Sequence, residues 1–237
     1  MDWSDWQPAY LAIAKRLGLS IDADRKATAL LTTLLKDVNP IPLLEQLENK
    51  IQNRTVVVCG AGPSLGRQLD EAMSAQGIAD AVYVAADGAA SAFLELGREC
   101  DILVTDLDGN NDDLETVIGH GALPIIHAHG DNVDRIKQFV PRLRKTLGST
   151  QVEPTDRAFL WGGFTDGDRA CHIVLHYAPK RLILVGMDFG NVVGRWSKPN
   201  RPSHFEADRR KRIKLEIAEQ LISGLLTRTS VPCAFML

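Results

Sequence analysis

The 237-residue sequence predicts an α/β fold: a mainly parallel sheet with helices on both faces, preceded by a small helical region. Three observations predict it. From Thr55 onward, short β-branched runs alternate with stretches of helical periodicity, the pattern of strands joined by crossover helices. Before that point the apolar residues follow three-and-four spacing with no strand-like run. The hydrophobic fraction of 45% and charged fraction of 24% are those of an ordinary globular chain, so these patterns report packed elements and not disorder.

In chain order, Tyr10, Ile13 and Leu17 mark one helix, and Ala27, Leu30, Leu31, Leu34 and Leu35 a second. Asn39-Pro40-Ile41-Pro42 interrupts the pattern because proline cannot continue a helix. Leu43, Leu44, Leu47 and Ile51 give one more short helix. Strands are predicted at 55–59, 81–86, 101–105, 123–127 and 181–186. Helices are predicted over 64–76, 89–97, 111–119, 131–146 and 166–177, with Pro141 kinking or splitting the fourth. The Ala158-Phe-Leu-Trp161 run is strand-like. A last helix covers about 205–227, and 231–237 has the pattern of a terminal strand. The chain therefore divides into a helical region, 1–50, and a Rossmann-like domain, 51–237.

A formal net charge of −3 gives no general attraction to nucleic acid or to membranes. Cys59, Cys100, Cys171 and Cys233 form no C-x-x-C pair, so free thiols in a reducing compartment are expected. The start, MDWSDWQPAY, lacks the basic and apolar regions of a signal peptide, and no apolar run reaches membrane-spanning length. The expected location is cytoplasmic.

In an open parallel sheet, ligands bind beyond the carboxyl ends of the strands. The residues there are Gly60-Ala61-Gly62-Pro63-Ser64, Asp87-Gly88, Thr105-Asp106-Leu107-Asp108-Gly109, His127 to Asn132, and Asp188-Phe189-Gly190. Several carboxylates thus gather at one edge. In an extended chain Asp106 and Asp108 would point the same way. Their repulsion calls for a cation, and oxygen-only ligands suit Mg²⁺. A plain Asp-Gly turn also accounts for Asp108-Gly109, but Asp87 and Asp131 at neighbouring strand ends favour the metal.

The Cys59–Ser64 turn by itself points to a nucleotide. Asp87 lies near the spacing of a ribose-binding acid after the glycines, so an NAD(P)-dependent oxidoreductase is one alternative, and a non-catalytic nucleotide-binding module another. Leu65 stands where a dinucleotide turn needs its third glycine. Trp161-Gly162-Gly163-Phe164-Thr165-Asp166-Gly167-Asp168 joins a strand-like run to a helix. Its glycines permit close approach to a ligand, Thr165 suits a cap, and Asp166 and Asp168 suit either substrate contact or the helix N-terminus. Arg195, Lys198 and Arg201 lie in a basic loop, followed by Arg209 to Lys214 in a helix. Such a basic cluster beside a carboxylate-rich edge suits a polyphosphate with its cation.

CGAGPSL, AADGA, TDLDG, HAHGDN, GFTDGDRA, GMDFG and KRIKL occur in this order over roughly 50–220. In this set the chain resembles the archaeal-type 6-hydroxymethyl-7,8-dihydropterin diphosphokinases, a branch of the DUF115 group related in fold to thiamin diphosphokinases. The resemblance implies transfer of the diphosphate of ATP to a reduced pterin, with Mg²⁺ and release of AMP, a step of folate or methanopterin biosynthesis. It implies Asp87, Asp106, Asp108 and Asp131 as metal ligands. HGDN departs from the T-D-x-x-K-A of thiamin enzymes, which disfavours thiamin as the acceptor. On the implied reading Asp106, Asp108, Lys214 and Arg195 are catalytic, and Gly60, Gly62, Ser64, Asp87, Gly88, Ser197 and Lys211 bind ATP. Asp166, Asp168, Gly163, Phe164, His129 and Asn132 bind the pterin, with Trp161 a second candidate for stacking. The fold relatives imply a homodimer.

Overall fold

The computed structural model describes residues 1–236. Three helices lead: α1 (Trp3–Leu17), α2 (Ile21–Leu34) and α3 (Ile41–Ile51). α1 stops at Gly18, which takes a left-handed φ of 65°. α2 starts where the Ser20 hydroxyl accepts from the Ala23 N–H. Pro42 lies in the first turn of α3, where its missing N–H has no helical partner to lose.

The alternating part follows as β1 (Thr55–Cys59), α4 (Leu65–Ser74), β2 (Val82–Ala86), α5 (Ala89–Glu95), β3 (Ile102–Thr105), α6 (Asn111–Gly119), β4 (Leu123–Ala128) and α7 (Val133–Phe139). Then come β5 (Leu147–Thr150), β6 (Ala158–Phe159), α8 (Asp166–His176), β7 (Arg181–Val185), β8 (Val192–Val193), β9 (Phe205–Glu206), α9 (Arg209–Leu226) and β10 (Cys233–Phe235). Eight strands form one sheet in the order β10-β7-β1-β2-β3-β4-β5-β6. Every pairing in it is parallel. The chain runs outward from β1 to β6, then returns to place β7 on the other side of β1. β1 and β7 therefore flank the point where the strand order reverses, and such switch points are where ligand sites form in these sheets.

Both sheet faces are covered, which is why the strands read as continuous apolar runs. Val57, Cys59, Ala85 and Leu103 pack with α2, α4 and α5 through Leu31, Leu69 and Phe93. Val56, Val58, Val84 and Val104 pack on the other face with Leu47 of α3 and Ile173 of α8. Each such buried aliphatic side chain stabilises the fold by roughly 1.5–3 kcal/mol. α1 packs through Trp6 and Tyr10 beside Val152, Leu160 and Ile217. The N-terminal helices thus share cores with the sheet and its later helices.

The structure follows the sequence reading at Pro141 and departs from it at several later elements. Pro141 does split the fourth helix, leaving α7 and a short 3₁₀ turn at Val140–Arg142. β5, Leu-Gly-Ser-Thr, is a strand with no β-branched run; it is buried between β4 and β6. Of the Ala158–Trp161 run, only Ala158–Phe159 pairs with β5. The last helix starts at Arg209, because Phe205–Glu206 pair antiparallel with Val192–Val193 and Asp208 caps the helix through the Lys211 N–H. The terminal strand spans Cys233–Phe235, and Leu237 of the predicted run lies outside the described residues. The four cysteines are free thiols. Among the described residues, no helix is long and apolar enough to cross a membrane.

Candidate active site

Three carboxylates converge at the open edge of the sheet. Asp87, Asp106 and Asp166 each place an oxygen within 4.8 Å of the others. Asp87 follows β2 with a left-handed φ of 44°. Its Oδ1 accepts from the Thr105 hydroxyl at 2.5 Å and the Gly109 N–H at 3.1 Å. Asp106 follows β3; its Oδ1 accepts from the Asp108 N–H at 3.1 Å, and its Oδ2 lies 3.3 Å from His129 Nε2. Asp166 is the first residue of α8, whose N-cap is Thr165. Two acids therefore come from strand ends and the third from a helix start.

The electrostatics follow from crowding. Burial, then the Asp106 charge, pushes the Asp87 carboxyl up to about 7. Burial, then Asp106 and Asp87, raises Asp166 well above the carboxylate range, against an opposing pull from Arg169. Burial also acts upward on Asp106, but the adjacent His129 imidazole, with Lys214 and Lys198, outweighs it and holds Asp106 at about 2. Asp106 is thus held ionised, while Asp87 and Asp166 resist ionisation because of the crowding, a cost that a bound cation would remove. An all-oxygen donor set with this much unrelieved negative charge fits a hard divalent ion such as Mg²⁺.

The acids form one end of a cavity of about 190 Å³ at the switch point, between the loops after β1, β2, β3 and β7, the start of α8, and α9. Lys198, Lys211 and Lys214 line it, as do the apolar Phe164, Met187, Phe189, Val193 and Leu215. Lys211 donates from Nζ to Ser197 Oγ at 3.1 Å. Burial, then the Lys214 and Lys198 charges, lowers the Lys211 pKa, so a phosphate at this point would relieve the stacked positive charge.

Of the residues read from sequence, Gly60, Gly62, Asp87, Gly88, Asp106, Asp108, Phe164, Asp166, Asp168, Ser197, Lys211 and Lys214 reach the cavity wall. Several do so for reasons other than those expected. Asp166, read as a pterin contact, stands with Asp87 and Asp106. Asp108, read as a metal ligand beside Asp106, lies outside that trio. Leu107 is left-handed, with φ 67°, so the extended alternation is broken, and Asp108 pairs with Arg135 and Lys198. Asp131 is exposed and off the cavity wall; its N–H donates to His129 Nδ1 at 3.2 Å. Asp168 is fully buried and accepts from the Phe164 and Thr165 N–H groups at 2.6 and 2.7 Å, so both of its oxygens are engaged in capping α8.

The remaining residues are braces. Ser64 donates from both its N–H and its hydroxyl to Asp188 Oδ2, at 2.9 and 2.8 Å, which ties the β1 loop to the β7 loop. Gly62 is needed there because a Cβ would meet that same oxygen at 2.2 Å; Gly88 faces the Trp196 carbonyl, which a Cβ would meet at 1.9 Å. Both glycines thus serve contacts within the protein. Gly163 has φ 83° and gives room to the Arg169 backbone. Trp161 is buried in the core against Phe159. Asn132 is buried; its Nδ2 donates to the Asp106 and His127 carbonyls at 2.8 and 2.7 Å, and its Oδ1 accepts from the His129 N–H at 3.0 Å. His129 backs Asp106. Arg195 pairs with Glu95 and lies over the Trp196 ring, off the cavity wall. Asp188, placed at the strand-end edge by sequence but given no role there, lines the cavity.

Residues 31–194 match the family model described as "6-hydroxymethylpterin diphosphokinase MptE-like". The chain belongs to this family. Three relatives carry the name 6-hydroxymethyl-7,8-dihydropterin pyrophosphokinase. The protein from Pyrococcus furiosus is 41% identical, over 95% of this chain and 94% of its own. That from Methanocaldococcus jannaschii is 36% identical over 98% of both, and that from Methanothermobacter thermautotrophicus 36% over 95% of both. A solved glycosyltransferase, MAf from Magnetospirillum magneticum, aligns with a TM-score of 0.49 at 14% identity, covering 78% of this chain and 34% of that one. Membership of a diphosphokinase family replaces the oxidoreductase alternative, and the spacing of Asp87 after the glycines is accounted for by its place among the three acids.

Proposed function

We propose that this chain is a Mg²⁺-dependent diphosphotransferase that moves the β,γ-diphosphate of ATP to 6-hydroxymethyl-7,8-dihydropterin and releases AMP. The observation that supports it best is the convergence of Asp87, Asp106 and Asp166 beside Lys211 and Lys214, in a chain whose relatives bear that enzyme's name. In this reaction the pterin hydroxyl oxygen bonds to the β-phosphorus. The bond from that phosphorus to the bridging oxygen of the α-phosphate breaks, AMP leaves with that oxygen, and the hydroxyl proton passes to solvent.

Such transfer depends mainly on positioning and charge neutralisation. Asp87, Asp106 and Asp166 would hold Mg²⁺, which supplies positive charge to the phosphates when bound. Lys211 and Lys214 attract the same phosphates from the α9 side. Phe164 and Phe189 offer flat apolar surface to a heterocycle. The cavity is smaller than the roughly 300–1,000 Å³ usual for ligand clefts, so part of the paired substrates extends over its open mouth.

The test is AMP release from ATP and Mg²⁺ with three acceptors: the hydroxymethyl-dihydropterin, thiamin, and none. Pterin-dependent AMP is expected, and Asp106→Asn should lower it about a thousandfold with an unchanged circular dichroism spectrum. Thiamin-dependent release, or none with the pterin, refutes the proposal.

A further inference from the structure

We propose that Asp24, in the second N-terminal helix, is a positioning residue for this reaction: it anchors the loop that presses His129 against Asp106. The inference rests on the function proposed above. The loop after β4, residues 129–132, is pinned on two sides. Toward the site, His129 Nε2 lies 3.3 Å from Asp106 Oδ2, and Asn132 Nδ2 donates to the Asp106 carbonyl at 2.8 Å. Away from the site, the Gly130 N–H donates to Asp24 Oδ1 at 2.7 Å.

Asp24 is itself held on its other oxygen. Its Oδ2 accepts from the Tyr10 hydroxyl at 2.5 Å and from Gln151 Nε2 at 2.7 Å. It is 4% exposed, and burying a carboxylate is costly unless hydrogen bonds replace its water. Here the donors come from α1, from the residue after β5, and from the loop that backs Asp106. A carboxylate with donors from three elements fixes their mutual distances, whereas an apolar side chain would only fill the space. Gln151 also reaches toward His127, whose Nε2 lies 3.4 Å from Gln151 Oε1.

The spacing between α2 and the loop is set as tightly as a glycine allows. A Cβ on Gly130 would meet the Ala23 Cβ at 2.7 Å. With the Ala23 methyl absent, the next contacts, Asp24 Oδ1 and the Ala23 carbonyl carbon, are each at 3.4 Å, which is ordinary packing. A methyl moved from position 23 to position 130 therefore fits, whereas methyls at both positions do not. Misplacing His129 by a fraction of an ångström moves the Asp106 carboxylate, and misplacement at this scale costs rate without removing any reacting group.

The experiment compares Gly130→Ala, the swap Ala23→Gly/Gly130→Ala, and Asp24→Ala in the full chain. Steady-state kinetics give kcat and pterin KM, and electron paramagnetic resonance titration with Mn²⁺ reads ion affinity without substrates. Gly130→Ala and Asp24→Ala should each lower kcat roughly tenfold, with pterin KM within about twofold. Both should weaken Mn²⁺ binding by a similar factor. The swap should recover most of kcat and of Mn²⁺ affinity despite a lower Tm from glycine inside α2. A loss of stability alone could not behave so. Native kcat and Mn²⁺ affinity in either single variant, or no recovery in the swap, overturns the proposal. Failure of the wild-type chain to release pterin-dependent AMP would overturn the function alone, because the Mn²⁺ titration still reads the Asp24 contact.

Discussion

Asp166→Asn separates two uses of the same side chain, and the structure gives the sign of each effect. With oxygens up to 4.8 Å apart, two full charges repel by about 3.5 kcal/mol at an effective dielectric near 20. Proton retention by Asp87 and Asp166 relieves part of this, so about 2 kcal/mol is a working figure for the strain that Asp166 adds without metal. Asparagine also loses up to about 1 kcal/mol of favourable interaction with the α8 N-terminus. The net gain is about 1 kcal/mol, or roughly 2–4 °C for a chain of this size. The metal-free variant should therefore melt higher than the wild type. The Mg²⁺ concentration for half-maximal rate should rise at least about tenfold, since one anionic ligand is gone. Differential scanning calorimetry with and without Mg²⁺, alongside AMP-release kinetics, measures both. A pterin contact would behave differently: pterin KM would rise at an unchanged Mg²⁺ requirement. That outcome, with a lower metal-free Tm, would refute the placement of Asp166 among the metal ligands.

Three further outcomes follow from the same geometry. Asp87 is held at about 7 when folded and near 3.9 when unfolded. The folded state thus keeps a proton that the unfolded chain has lost, and metal-free stability should fall as pH rises from about 4 to about 7. Asp166 acts with the same sign, so the Tm gain on adding Mg²⁺ should be larger at pH 8 than at pH 5; a pH-independent gain contradicts this. Gly88→Ala forces a methyl to within 1.9 Å of the Trp196 carbonyl and should displace the loop that carries Ser197 and Lys198. A fall in kcat of about tenfold or more is expected, and an unchanged rate would show that this loop does not shape the site. Lys214→Met should lower kcat/KM for ATP by roughly a hundredfold, about 2.7 kcal/mol, while pterin KM stays within about twofold; an effect confined to the pterin contradicts the phosphate role.

The acids at 87 and 106 could be read early because each directly follows an apolar run, and parallel strands end along one edge. Asp166 was legible as a candidate, but its place beside Asp87 and Asp106 was not. Its sequence neighbours show a capped helix start, and nothing local says that this start lies over the ends of β2 and β3. Asp108 and Asp168 stand outside the trio of acids for local reasons that sequence does not display. One follows a left-handed Leu107, and the other spends its oxygens on the Phe164 and Thr165 amides. Asn132 and His129 carry a suggestive motif, yet both turn inward toward Asp106, Asn132 by a hydrogen bond and His129 by close approach.

By itself, the sequence determined the α/β class, the helices before the sheet, the split at Pro141 and the edge where chemistry gathers. Each depends on periodicity or punctuation between near neighbours in the chain. Only the tertiary structure decided which carboxylates meet, which are already satisfied, and that an N-terminal acid braces the site from behind. Those depend on distances between residues far apart in sequence, which exist only once eight strands and the packed helices set them.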